Sequence, residues 1–410
     1  MVRRLLHAKS APKLFVLLFV AAYVVLPAEI AGRAGGSPYF LQLAWMCALA
    51  AVFVVVGAML PLPLHRMPKV RIPMEVVLAI VWVAFLAYAV AVCATAEGIP
   101  LLASLHGADQ ATITTLRENF LKARVGWQAG FVYMNAIFAG FLLPYCIALM
   151  FLHRVRFRWL CFLGFLLYSL SFVEKAFFLK AVVPLFYLAL ERRLKTRISP
   201  GFVCLVAAGL LVGVTVASRI GATDGPYPNG TFFSTNYVPG SPLEYMVWRS
   251  VSVPVTTATD AIRVFKEQFD GKLLLGRTSS LVAKATGSEQ VPFERTVFEQ
   301  QWGQLETGTG SSNSVYVTEA YVNFGLAGVA AFSLFVGVVL RLFAKSRDVA
   351  FQSIWMLFCL NIFTAGVMGT LLSNGFLLVL LMTMFMKMKT PPHRMPKKAS
   401  GTARLEEARA

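Results

Sequence analysis

The sequence predicts an all-α polytopic membrane protein, with about ten transmembrane helices and one large outward-facing loop that itself contains helices. Three observations lead there. Of the 410 residues 57% are hydrophobic and only 14% charged, and the apolar residues fall in blocks rather than at the spacing of a globular core. The basic residues crowd into alternate connections between those blocks. The longest polar stretch, residues 219–321, is too long to be a simple connector.

The first apolar block, Leu14 to Leu26, follows Met1-Val-Arg-Arg and is read as an uncleaved first helix, with a secretory leader as the alternative. Candidate spans then run over residues 14–30, 40–60, 74–95, 128–152, 157–173, 176–190, 201–218, 322–340, 350–371 and 374–386. The organisation is thus residues 1–218 with seven spans and an outer loop at 96–127, the large loop 219–321, three further spans within 322–388, and a basic tail 389–410. The tail has no apolar periodicity and is expected to be disordered. Within 96–127 the Gly98-Ile-Pro-Leu-Leu start is apolar enough to dip back into the membrane. In the large loop, Ser252-Val-Pro is expected to open a helix carrying Ala258, Ala261, Ile262, Phe265 and Phe269 on one face, able to rest on the membrane surface.

The net charge of +18 invites a nucleic-acid reading, which the distribution of the bases removes. With the N-terminus placed inside, 24 of the 38 Lys and Arg residues lie on the inner side against five acids, and the outer side is balanced. This is the positive-inside signature, and no nucleic-acid partner follows from it. Both termini then lie on the inner side. Six cysteines all fall in apolar blocks without a CxxC pair, which argues against disulfides and a thiolate metal site.

Three constellations carry candidate chemistry. Between the fifth and sixth spans lie Glu174, Lys175 and Lys180, at or inside the outer boundary; either they act on a ligand or they form a tight hairpin whose charges snorkel to water. In the large loop Arg249 stands beside aromatic residues, in Glu244-Tyr-Met-Val-Trp-Arg. An arginine fork suits a phosphoryl group, and a surface ion pair to Glu244 is the plainer alternative. At the end of the loop Glu319, Tyr321 and Asn323 run into the eighth span, where a carboxylate, an aromatic ring and an amide could line a sugar cavity. Gly325 and Gly328 beside them allow close helix contact.

Absences narrow the chemistry. There is no D-x-D or E-x-D, the first outer connection is a few residues long, and no G-x-x-x-x-G-K-[ST] is present. These argue against a metal-dependent lipid-sugar transferase and against ATP. Four of the five histidines lie on the inner side, leaving only His106 outside.

The pattern resembles the bacterial oligosaccharide repeat-unit polymerases, the Wzy-type O-antigen and enterobacterial common antigen polymerases. The residues that carry the resemblance are Gly98-Ile-Pro-Leu-Leu, the basic Lys175, Trp248-Arg249 with a downstream proline, and the Asn-Ser, Glu-Ala-Tyr-Val-Asn-Phe-Gly entry to the eighth span. Lysine at 175, where relatives often carry arginine, departs from the pattern.

The resemblance implies a multi-pass protein of the bacterial inner membrane with a metal-independent, GT-C-like architecture and no cofactor. It implies transfer, on the periplasmic face, of a glycan from one undecaprenyl-diphosphate carrier to the non-reducing-end hydroxyl of a second lipid-linked unit. A polysaccharide co-polymerase that regulates chain length and a flippase are the partners it suggests. On this reading Arg249, Lys175, and Arg124 or Arg219 meet the diphosphate, with Lys180 nearby. Glu319 is the first candidate for the general base and His106 the second, while Tyr321 and Asn323 face sugar. A lipid-linked oligosaccharide flippase and an O-antigen ligase are the rivals. A flippase is expected to hold its charges along a path within the spans, and a ligase to carry a loop histidine.

Overall fold

A computed structural model describes residues 2–33, 37–61, 68–174, 177–194, 199–217, 231–234, 237–302, 312 and 314–389. The chain is helical almost throughout, because uninterrupted apolar runs can satisfy their backbone only within a helix when water is absent.

In order the elements are α1 (Ala8–Ala31), α2 (Pro38–Met59), β1 (Val70–Pro73), α3 (Met74–Ala94), α4 (Pro100–Leu105), α5 (Gln110–Arg117) and α6 (Gly126–Leu152). Next come α7 (Arg158–Ser171), α8 (Leu179–Leu190), α9 (Pro200–Ala217), α10 (Pro242–Glu267), α11 (Ser280–Thr286) and α12 (Phe293–Trp302). The chain closes with α13 (Tyr316–Lys345), α14 (Val349–Ser353), α15 (Trp355–Thr364), α16 (Phe376–Phe385) and β2 (Met386–Lys389). Among the described residues five helices are long and apolar enough to cross a bilayer, namely α1, α2, α3, α6 and α13. The other apolar blocks give shorter helices, α7, α8, α9, α15 and α16.

The centre of the fold is the pair α2 and α13, packed at backbone distance. A Cβ on Gly57 would lie 2.1 Å from the Leu334 carbonyl oxygen, and one on Gly337 would lie 2.1 Å from that of Val54. The two helices run in the same direction: Gln42 Nε2 donates to the Tyr321 hydroxyl (3.1 Å) near one end, and Arg341 donates to the Ala58 carbonyl (2.6 Å) near the other. Glycine-mediated contact therefore exists, but at Gly57 and Gly337 rather than at the expected Gly325.

Gly325 does something else. Its φ of 62° and ψ of −153° break α13 one third of the way along, in a region open essentially only to glycine. The carbonyls of Val322 and Asn323, released from the helical ladder, accept instead from the N–H groups of Leu274 and Leu275, each at 3.0 Å. The break thus pins the large loop to the membrane helix.

Three other expectations are corrected. The loop helix does not start at Ser252. It starts at Pro242, because Ser241 caps the Glu244 N–H at 3.1 Å and proline is tolerated in a first turn; Pro254 lies inside the helix. Nor does its apolar stripe rest on a membrane. Ala258, Ala261, Ile262 and Phe265 are buried under protein, in a core completed by Phe293, Val297 and Val322. The block expected as one span over 350–371 is divided into α14 and α15, with a further interruption after Thr364 and a wide turn at Gly369–Ser373. Met386-Lys-Met-Lys leaves the membrane as a strand, pairing in parallel with β1 so that Arg71 stands opposite Lys387. The tail beyond residue 389 lies outside the described residues.

Candidate functional site

Where α10, α12 and the entry of α13 meet the interruption after α15, the chain forms a half-open cavity of about 200 Å³. Its polar lining is two carboxyl groups, Glu294 and Glu319, with Thr278, Ser312, Ser314, Thr318 and Thr364. No basic side chain lines it among the described residues.

Each group is held from its own element. Glu319 is in the first turn of α13, where its carboxylate accepts from the Met368 N–H at 3.2 Å. That N–H is free because the helix is interrupted at Ala365 and Gly366, and Gly366 leaves the space in which the carboxylate sits. Glu294 opens α12, and burial pushes its carboxyl above the ordinary range. The Ser312 N–H donates to the Glu294 carbonyl at 3.0 Å, while the Ser312 hydroxyl is buried with no partner among the described residues. A buried hydroxyl without a partner costs free energy unless a ligand or water completes it.

The chemistry of this chamber is specific. Two carboxyl groups sharing one enclosure do not readily both ionise, so the pair can accept one proton and donate another. Hydroxyls around them match a neutral polyhydroxyl group, and the same carboxyls repel a diphosphate.

Asn323, expected to meet sugar, is fully engaged within the protein. Its Oδ1 accepts from the Gly276 N–H, and its Nδ2 donates to Thr278 Oγ1 and the Glu319 carbonyl, each at 2.9 Å. Every hydrogen-bonding position of the amide points at protein, so it positions Thr278 and Glu319 rather than a ligand. Tyr321 accepts from Gln42 and sets its ring edge against Phe265, joining α13 to α2 and α10.

The expected cationic group is not assembled around Glu319. Arg249 is exposed in the middle of α10, its guanidinium 5.8 Å from the Trp302 ring centre. The ion pair to Glu244 does not form. Glu244 instead accepts from the Tyr237 hydroxyl and the Gly240 N–H, which hold its carboxyl below the usual range. Trp302 and Glu294 stand at opposite ends of α12, roughly 12 Å apart at 1.5 Å per residue.

Arg124 is spent on structure. It donates to the Val92 and Phe120 carbonyls, to Thr95 and to Gln128, binding the end of α3 to the start of α6. Lys180 lies over the Phe177 ring at 4.5 Å, and Glu174 pairs with Lys122 at 3.8 Å. His106 ends α4, is exposed, and turns Nδ1 to the Leu102 carbonyl at 2.7 Å. Lys175 and Arg219 lie outside the described residues. Among those residues no three His, Cys, Asp or Glu side chains gather as a metal site.

Of the cavity groups, sequence reasoning found Glu319 and missed Glu294, Thr278 and Ser312. Comparison of the chain with family models, curated proteins and solved structures finds no match.

Proposed function

We propose that the protein is a metal-independent glycosyltransferase that polymerises undecaprenyl-diphosphate-linked oligosaccharide repeat units into a surface polysaccharide. It works on the periplasmic face of a bacterial inner membrane, with both termini in the cytoplasm and ten crossings. The observation that supports this best is the pair Glu294 and Glu319 in a half-open, hydroxyl-lined chamber with no basic side chain among the described residues.

In this reading the chamber receives the acceptor sugar. Glu319 takes the proton of the attacking hydroxyl, and the bond from the donor's anomeric carbon to phosphate breaks as the new glycosidic bond forms. Undecaprenyl diphosphate departs with the electron pair. Arg249, stacked on Trp302 at the far end of α12, meets that diphosphate outside the acidic chamber.

The test is the surface glycan of a strain lacking the gene, complemented with wild type, Glu319→Gln or Arg249→Ala. Long chains with wild type, and lipid carrying a single repeat unit with either variant, are expected. Near-normal chain growth with Glu319→Gln removes that residue from the reaction. Loss of even the single unit in the deletion strain moves the protein to flipping or ligation.

The flippase reading has one observation in its favour: the interrupted helix at Ala365 and Gly366 lies beside Glu319, the arrangement by which transporters expose backbone to a ligand. A reconstituted vesicle assay separates the two, since a flippase moves lipid-linked sugar without lengthening it.

A further inference from the structure

At the opposite end of the helices from the carboxyl chamber lies a much larger concavity, of about 1170 Å³. Lys69 and Arg71 reach it from the segment at β1, Arg193 from the end of α8, and Lys387 from β2. Arg341, Lys345 and Arg347 reach it from the end of α13. We propose that this concavity binds a ligand bearing two or more phosphate groups.

The positive-inside rule accounts for the sign of these residues but not for their convergence from four parts of the chain on one hollow. Among the described residues the only carboxylate in the lining is Asp348. It is already used, accepting from Tyr145 at 2.8 Å and capping α14 through the N–H groups of Ala350 and Phe351. Among the described residues none of the seven bases forms an ion pair with a carboxylate. Two of them do hold backbone: Lys69 donates to the Thr383 carbonyl and Arg341 to that of Ala58.

The ribbon supplies an independent observation. Arg71 and Lys387 are direct partners across the β1–β2 ladder, and both line the hollow. Like charges placed side by side weaken a ladder, and an anion between or above them offsets that repulsion. Arginine forks and lysine ammoniums around one hollow match the geometry of phosphoryl oxygens. Basic pockets between helices on the inner side of a membrane hold phospholipid headgroups in the same way, and a soluble diphosphate offers the same oxygens.

The test uses the full chain in nanodiscs. One arm titrates inorganic pyrophosphate into discs of phosphatidylcholine and follows binding by calorimetry. The second incorporates cardiolipin and measures by native mass spectrometry how much stays with the protein. Wild type is compared with Arg71→Gln/Lys387→Gln, with Arg193→Gln/Arg347→Gln, and with the loop-face control Arg295→Gln. Binding of pyrophosphate, weakened tenfold or more by either double variant and unchanged by the control, supports the proposal with a soluble source. Selective retention of cardiolipin with the same pattern supports it with a lipid source. The proposal fails if neither probe binds, or if folded double variants, checked by their melting temperature, bind as wild type does. Charge removal at Arg193 and Arg347 leaves the ribbon intact, so failure of the first variant to fold does not spare the proposal.

Discussion

Gly366 and Glu319 occupy one another's space: a Cβ at residue 366 would lie 2.3 Å from the Glu319 carboxyl carbon. The carboxylate is seated where it is because residue 366 has no side chain. Gly366→Ala is expected to expel it from its place against the Met368 N–H, with a loss of roughly 1–3 kcal/mol from overpacking and loss of polymer. Gly209→Ala, on α9 with open space around it and away from the chamber, is the matched control. Melting temperature and glycan length measured together check this; an active, stable Gly366→Ala protein would refute the seating.

Glu294 gives a pH signature. Burial raises its pKa in the folded protein above the unfolded value of about 4.3, so ionisation costs stability as pH rises from that value through the folded pKa. At low pH both states are protonated and the cost vanishes. Glu294→Gln should therefore raise the melting temperature at pH 8 and leave it unchanged at pH 4, while weakening chain growth. A shift of equal size at both pH values contradicts the assignment.

Gly325→Ala tests the break in α13. A Cβ there would touch only the Leu273 side chain, at 3.7 Å, so the cost is backbone strain of about 1–3 kcal/mol rather than a clash. Hydrogen exchange reads it locally: the loop amides of Leu274 and Leu275, bonded to Val322 and Asn323, are expected to lose protection before the amides of α13. Uniform protection across both regions would show that the latch does not depend on the break.

Asn323→Leu separates positioning from sugar binding. It leaves the Gly276 N–H and the Thr278 hydroxyl without their partner, at about 1–3 kcal/mol for each buried group so orphaned. A clear drop in melting temperature is expected. If stability holds while activity alone falls, the amide faces substrate after all.

Most of the helical skeleton was legible in the sequence, because blocks of apolar residues bounded by bases have few other outcomes in lipid. The residues that interrupt it were not. Gly325 and Gly366 look alike in sequence, yet one releases carbonyls to a loop and the other makes room for a carboxylate; only the partner decides. Ser241-Pro-Leu-Glu244 did carry a legible start signal, a serine three residues before a glutamate, and it outranked Ser252. Met386-Lys-Met-Lys alternates with a period of two, the mark of a strand, though its partner lies more than three hundred residues away. Glu294 could not be found beforehand, since nothing in Val-Pro-Phe-Glu shows that it will face Glu319.

The parallel course of α2 and α13 imposes a parity on the chain. Two neighbouring helices that pass through a bilayer in the same sense must be joined by an odd number of crossings. Among the described residues α3 and α6, between them, are both long and apolar enough to cross, and two is even. With α2 and α13 both crossing, one of α7, α8 and α9, or all three, completes an odd count. A glycine contact in the middle of the molecule thereby ties the number of crossings to helices far from it in sequence, of which α9, at 18 residues, has the length to complete the count.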